Sequence, residues 1–203
     1  MADKYNSFAE LAENEEEDRD FRVRVRERRG TIVVIAPHGG GIEPGTSEIA
    51  ESIAASNLSF CALEGLKLTG NGDLHITGTR FDEPRCTALV GSSPRAISVH
   101  GEDSERQVVF LGGRDTAMLE RLRRSLTARD FIVETHDNPL LQGLDQANIC
   151  NRTANRIGIQ LELSRGLRLS FFQSLSGNGR RTKTERFYEF VAGVREAISG
   201  GTL

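Results

Sequence analysis

The chain has no tryptophan, only two tyrosines, three cysteines and four histidines in 203 residues. Cys61, Cys86 and Cys150 are odd in number and widely spaced. That excludes a dense disulfide framework or a zinc knuckle and predicts free thiols in a reducing compartment. No apolar run approaches membrane-spanning length, and the opening residues MADKYNSFAEL lack the charged-then-apolar order of a signal peptide. The expected product is therefore cytoplasmic as synthesised, with no membrane partner. A net charge of −3 gives no general attraction to nucleic acid, so an acidic ligand would have to be caught by local arginines. Gly-x-Ser-x-Gly and His-Glu-x-x-His are both absent, which disfavours a serine elbow and helical zincin chemistry. The length favours a single domain over 1–203, an acidic segment (1–20) leading into a core (21–198).

What is present centres on residues 31–48, TIVVIAPHGGGIEPGTSE. The β-branched run 31–36 predicts a buried strand. It stops at Pro37-His38, crosses Gly39, Gly40 and Gly41, and reaches Glu43 before a helix with Thr46 and Ser47 as candidate N-caps and Glu48 in its first turn. Such strand-to-helix loops line the ligand crevice of open α/β sheets. An imidazole and a carboxylate on one turning backbone suit zinc. A phosphate cradle or a plain tight turn competes, but the P-loop Lys-Ser/Thr is missing.

The remaining pattern alternates strands and helices. A short helix is expected within 1–12, and 14–20 is a solvated charge run. Residues 21–29 alternate valine with arginine, which predicts a polar edge strand. Further strands are expected at 59–66, 74–77, 87–90, 96–99, 105–111, 131–134 and 157–164, and helices at 47–56, 115–128, 167–175 and 183–198. A long loop over 137–153 reads as functional. The fold class is α/β: a three-layer domain with an open mixed sheet flanked by helices.

Taken singly, each histidine is more readily structural. Together, His38 and His100 at glycine-flanked strand ends, with Glu43, make a two-His-one-carboxylate set that leaves a position open, as catalytic zinc requires. Hydrolysis then needs a base that is not itself a ligand. Glu162, near the end of the alternating strand IGIQLELS, is the candidate. In a purely structural role it would pair with Arg165 or Arg168. Arg80, Arg152 and Arg165 are the arginines selected for substrate carboxylates, since guanidinium forks grip them bidentately.

APHGGGIEPGTSEIA, LEGLK, GDLHITGTRFDEP, AISVHG and GIQLELSRGLR occur in this order. From about residue 5 to residue 198 the chain resembles the poly-γ-glutamate hydrolases of bacteriophages and their prophage-type bacterial relatives. The resemblance implies a zinc carboxypeptidase-like fold, one zinc ion (Zn2+) per chain on His38, Glu43 and His100, and Glu162 as general base. It also implies endo-type cleavage of γ-glutamyl amide bonds in an anionic capsule polymer; the sequence leaves open whether the protein is released to the exterior by lysis. The His38–Glu43 spacing is longer than the His-x-x-Glu of carboxypeptidases, so their specificity residues do not transfer. Arg80 stands where family members often have histidine. His75, in the retained LHIT, is expected to contact substrate or support the ligands, and to be the third ligand should His100 not serve. The rival readings are a zinc amidohydrolase or deacylase acting on a small acylated amino acid or cell-wall peptide, and a non-catalytic phage-associated binding protein.

Overall fold

The computed structural model describes residues 3–200. Seven strands form one mixed sheet: β1 (Phe21–Arg26), β2 (Ile32–Gly40), β3 (Ser59–Gly65), β4 (Arg95–Glu102), β5 (Val108–Gly113), β6 (Ile132–Glu134) and β7 (Gly158–Ser164), in the order β1-β3-β2-β4-β7-β5-β6. The central strands β3, β2, β4 and β7 run parallel. The strand β1 caps one edge antiparallel to β3, and β5 runs antiparallel to β7.

The six α-helices are α1 (Phe8–Asn14), α2 (Thr46–Ala54), α3 (Pro84–Ser92), α4 (Thr116–Thr127), α5 (Arg165–Phe171) and α6 (Glu185–Ser199). Two apolar cores lie on opposite faces of the sheet. On one face Val34, Ala36, Val99, Leu161 and Leu163 meet Ile49, Leu122, Phe171 and Phe190 from α2, α4, α5 and α6. On the other, Val33, Ile35, Cys61 and Leu63 meet Leu11, Cys86, Leu89 and Val90 from α1 and α3. The expected three-layer α/β architecture is thus observed.

Several local expectations are corrected. Residues 87–90 are not a strand but part of α3, which Pro84 opens at its first turn and Glu83 caps through Cys86 N–H at 2.7 Å. Buried Cys86, Leu89 and Val90 recur at helical spacing. Residues 74–77 are not a strand either; a 3-10 turn, Asn71–Leu74, runs into irregular backbone that buries Leu74 and Ile76. The N-cap of α2 is Gly45, at φ +99°, while the Thr46 hydroxyl turns back to the carbonyl of Glu43. Cys61 and Cys86 are not free thiols: they are joined in a disulfide between β3 and α3, with Cα atoms 5.6 Å apart, and only Cys150 stays free. Sequence spacing could not reveal this pairing, because it is the packing of α3 beneath β3 that brings the two sulfurs together.

The topology places the crevice. From β2 the chain moves to β3 on one side, then crosses back so that β4 lies on the other side. Strand order reverses there, and ligands in open α/β sheets bind at the carboxyl ends of strands beside such a point. His38 lies near the end of β2 and His100 near the end of β4.

Candidate metal centre and cleft

The loop after β2 folds back on itself. The pairing of β2 with β3 shifts register between Ala36 and Gly39. Gly40 adopts φ +64° against the backbone of Gly65, where a side chain has no room. Glu43 N–H donates to the carbonyl of His38 at 2.9 Å, and the Thr46 hydroxyl donates to the carbonyl of Glu43 at 2.8 Å. This compact turn brings Glu43 Oε1 within 2.9 Å of His38 Nδ1. The other oxygen, Oε2, accepts from Gly101 N–H at 2.7 Å, which ties the loop to β4.

Hydrogen-bond bookkeeping fixes what these atoms present. His38 Nε2 lies 2.8 Å from the carbonyl of Ile76, which can only accept, so Nε2 carries the hydrogen. In neutral His38, Nδ1 is then a lone pair aimed at Glu43 Oε1. His100 Nδ1 stands 3.2 Å from the same His38 atom and 3.9 Å from Glu43 Oε2, while its Nε2 is satisfied by the Ser98 hydroxyl at 2.8 Å. His75 donates from Nδ1 to Asp3 at 2.6 Å, which leaves Nε2 as a lone pair 3.9 Å from Glu43 Oε1. Ligating atoms of His38, Glu43 and His75 all lie within 4.8 Å of one another. Converging lone pairs of this kind repel unless a cation sits among them, and each imidazole is oriented from behind by a carbonyl, hydroxyl or carboxylate, as metal-binding histidines are. The donor set fits a small divalent ion.

The titration tendencies tell the same story with a proton as the available cation. Burial alone would raise Glu43, but the neighbouring His38 overrides it and holds the carboxyl down at about 2. Burial, the largest influence, would lower His38, but the charge and hydrogen bond of Glu43, the Ile76 carbonyl and the charge of Asp3 together raise it. Burial and the charge of His38 push His100 down to about 3 and lower His75 as well. One positive charge is wanted between His38 and Glu43.

Glu162 lies on β7 in register with His100 on β4, so the two side chains share a sheet face. Burial, then the charges of Glu43 and Glu102, raise its pKa well above the ordinary carboxylate range. It pairs with neither expected arginine. Arg165 engages exposed Glu105, and buried Arg168 donates to the carbonyls of Leu163, Pro44 and Glu102 at 2.8–3.0 Å. Its partner is the Gln160 amide at 2.8 Å, which is itself held by Asn148 at 2.9 Å from the long loop.

The arginines selected from sequence divide by position. Arg165 opens α5 just beyond Glu162, with its side chain 48% exposed. Arg80 is 43% exposed and bound to Asp3, which also holds His75. Arg152 is not brought to this end of the sheet. It precedes β7, donates to the carbonyl of Phe81, and lies where Ala154 N–H bonds to Ser93 just before β4 begins. The sequence reading missed Asp3, Ser98 and Gln160. The last two sit two residues before His100 and Glu162 on the same strand face, a period-two signal that was available. Asp3, 72 residues from His75, gave none.

A family model for poly-gamma-glutamate hydrolase matches residues 5–193. The UPF0714 protein YndL of Bacillus subtilis (strain 168) is 40% identical over 192 residues, covering 93% of this chain and 75% of the relative. The SPbeta prophage-derived UPF0714 protein YoqZ of the same strain is 34% identical over 200 residues, covering 98% and 72%. A solved structure of a bacteriophage poly-gamma-glutamate hydrolase superposes with a TM-score of 0.94 at 28% identity and covers 98% of both chains. The zinc-free apo form of YndL superposes with a TM-score of 0.92 at 37% identity over the whole of both chains. On the family match and these relatives, the chain belongs to the poly-gamma-glutamate hydrolase family.

Proposed function

We propose that this protein is a zinc-dependent hydrolase that cleaves γ-glutamyl amide bonds of poly-γ-glutamate. The observation that carries the reading is the convergence of His38 Nδ1, the Glu43 carboxylate and His100 Nδ1, with contacts of 2.9–3.9 Å, on the sheet face that also carries the buried carboxyl of Glu162. His38, Glu43 and His100 would hold the ion, and His75 faces Glu43 from the rim, where it meets substrate or serves as a replacement ligand. When bound, zinc acts as a Lewis acid toward the scissile carbonyl and makes water nucleophilic near neutral pH. Glu162 takes the proton from the attacking water. Its raised proton affinity suits it to that task, and the Gln160 amide keeps one oxygen fixed while the other meets the proton. As the carbon–nitrogen bond breaks, the same carboxyl returns the proton to the departing amine. Arg165 and Arg80, half exposed on either side, grip the free α-carboxylates of the polymer.

Two substitutions separate the roles. Glu162→Gln is expected to retain zinc but lose at least about a hundredfold in turnover, the usual scale of general-base loss. His38→Ala is expected to lose the ion. Full polymer shortening by Glu162→Gln at equal zinc content would remove Glu162 from the mechanism. Zinc retention without cleavage by the native protein would point to another amide substrate.

A further inference from the structure

The side chain of Asp3 is 1% exposed, and among the described residues its hydrogen-bond partners all lie on one short segment, residues 75–80. Its Oδ1 accepts from His75 Nδ1 at 2.6 Å. Its Oδ2 accepts from Thr77 N–H at 2.7 Å and from Arg80 Nη2 at 2.5 Å. The neighbouring residues continue the attachment: Asn6 accepts from Arg80 Nη1 at 2.9 Å, and Phe8 N–H donates to Asp82 at 2.6 Å. The N-terminal segment is thus laced onto residues 75–82. The ring that Asp3 holds is the one stacked against His38, with centroids 3.9 Å apart.

We propose that Asp3 is a positioning residue of the active site, fixing His75 as the Nδ1–H tautomer so that the Nε2 lone pair faces the cleft, and holding Arg80 at the rim beside it. A carboxylate has no hydrogen to give, so a ring nitrogen at 2.6 Å must donate, and the tautomer follows. The same oxygen pair spaces an imidazole and a guanidinium at one end of the cleft, where one would meet the reacting amide and the other an adjacent carboxylate. A tie that merely anchored the N-terminus would not need to end on these two side chains. The effect on turnover rests on the hydrolase reading above; the tautomer does not.

The decisive variant is Asp3→Asn, which keeps the size of the side chain. Its oxygen serves the two donors Thr77 N–H and Arg80, and its NH2 then points at His75 Nδ1. That group can only donate, so the ring is driven to the opposite tautomer, as when asparagine replaces the aspartate that orients a catalytic histidine. Long-range 1H–15N correlation of the histidine rings is to be recorded on the native protein, Asp3→Asn and Asp3→Ala, with kcat, KM on poly-γ-glutamate and zinc content measured alongside. Lys4→Ala, which removes the contacts of Lys4 with Asp73, Glu15 and the Tyr5 ring but none of those made by Asp3, is the control for the segment.

The native protein is expected to show His75 protonated at Nδ1, and Asp3→Asn at Nε2. In Asp3→Asn, kcat/KM is expected to fall tenfold or more, the scale of losses when an orienting partner is removed. Lys4→Ala is expected to stay within twofold of the native enzyme. An Asp3→Asn protein that keeps the Nδ1–H tautomer, or changes it without loss of kcat/KM, overturns the proposal. If the tautomer reverses while the native protein itself cleaves nothing, the positioning stands and the hydrolase reading fails. Should either variant fold poorly, the native spectrum still decides, because an Nε2–H His75 there contradicts the assignment.

Discussion

At the scale of single residues, the centre crowds His38, Glu43, His75 and His100 into close mutual contact. Glu162 bears the clearest consequence, because its carboxyl is buried and faces the charges of Glu43 and Glu102. Its folded pKa lies above the free value of 4.5, so protonation favours the folded state. That contribution is fully present below the unfolded pKa and is lost as pH rises through the folded one. Glu162→Gln removes the cost of a buried anion at high pH and changes little at low pH. In the presence of chelator, the variant is therefore expected to melt above the native protein at pH 8, with the gap closing as pH falls toward about 4.5. Parallel thermal melts across that range check it, and a variant less stable at pH 8 would contradict the buried-anion account. His38 and His100 were picked out in the sequence because each sits near a strand end marked by glycine, His38 before three glycines and His100 before one. Asp3 was not legible, since nothing in a local pattern reports a contact between residues 3 and 75.

At the scale of elements, the parallel strands β2, β4 and β7 were readable from their apolar runs, and their faces followed from period-two alternation. The failures share a cause. Residues 84–92 carry short apolar stretches that fit a strand as well as a helix, and the start signal was Pro84 with Glu83, an unusual cap. The 74–77 segment alternates as a strand does, but its backbone closes a turn, because Leu74 and Ile76 both bury under the N-terminal segment. The long loop before β7 also proved to be fastened rather than free. Asn148 binds Gln160, and the backbone of Cys150 lies directly over Gly158, leaving no space for a Cβ. Gly158→Ala should therefore displace the loop or the start of β7 and cost about 1–3 kcal/mol, as overpacking does. Urea unfolding measures it, and an unchanged midpoint would show that the loop yields freely.

At the scale of the whole molecule, an open mixed sheet carries its polar centre at the point where strand order reverses, with apolar cores on both faces. The fold class was legible because alternating strands and helices leave few solutions. The disulfide between β3 and α3 was not, because it depends on which layer α3 joins. Residues 3–12, read in the sequence as no more than part of a short helix, bury Tyr5 and Leu11 and reach His75 through Asp3. Among the described residues no helix is long and apolar enough to cross a membrane. In the function proposed above, this arrangement hydrolyses poly-γ-glutamate with a zinc ion held by His38, Glu43 and His100. Its most direct test is the zinc content of the purified protein together with polymer chain length before chelation, after chelation and after zinc is restored. About one zinc per chain is expected, with shortening that stops on chelation and returns with the metal. Undiminished shortening by the zinc-free protein, or no shortening even when zinc is bound, would contradict it.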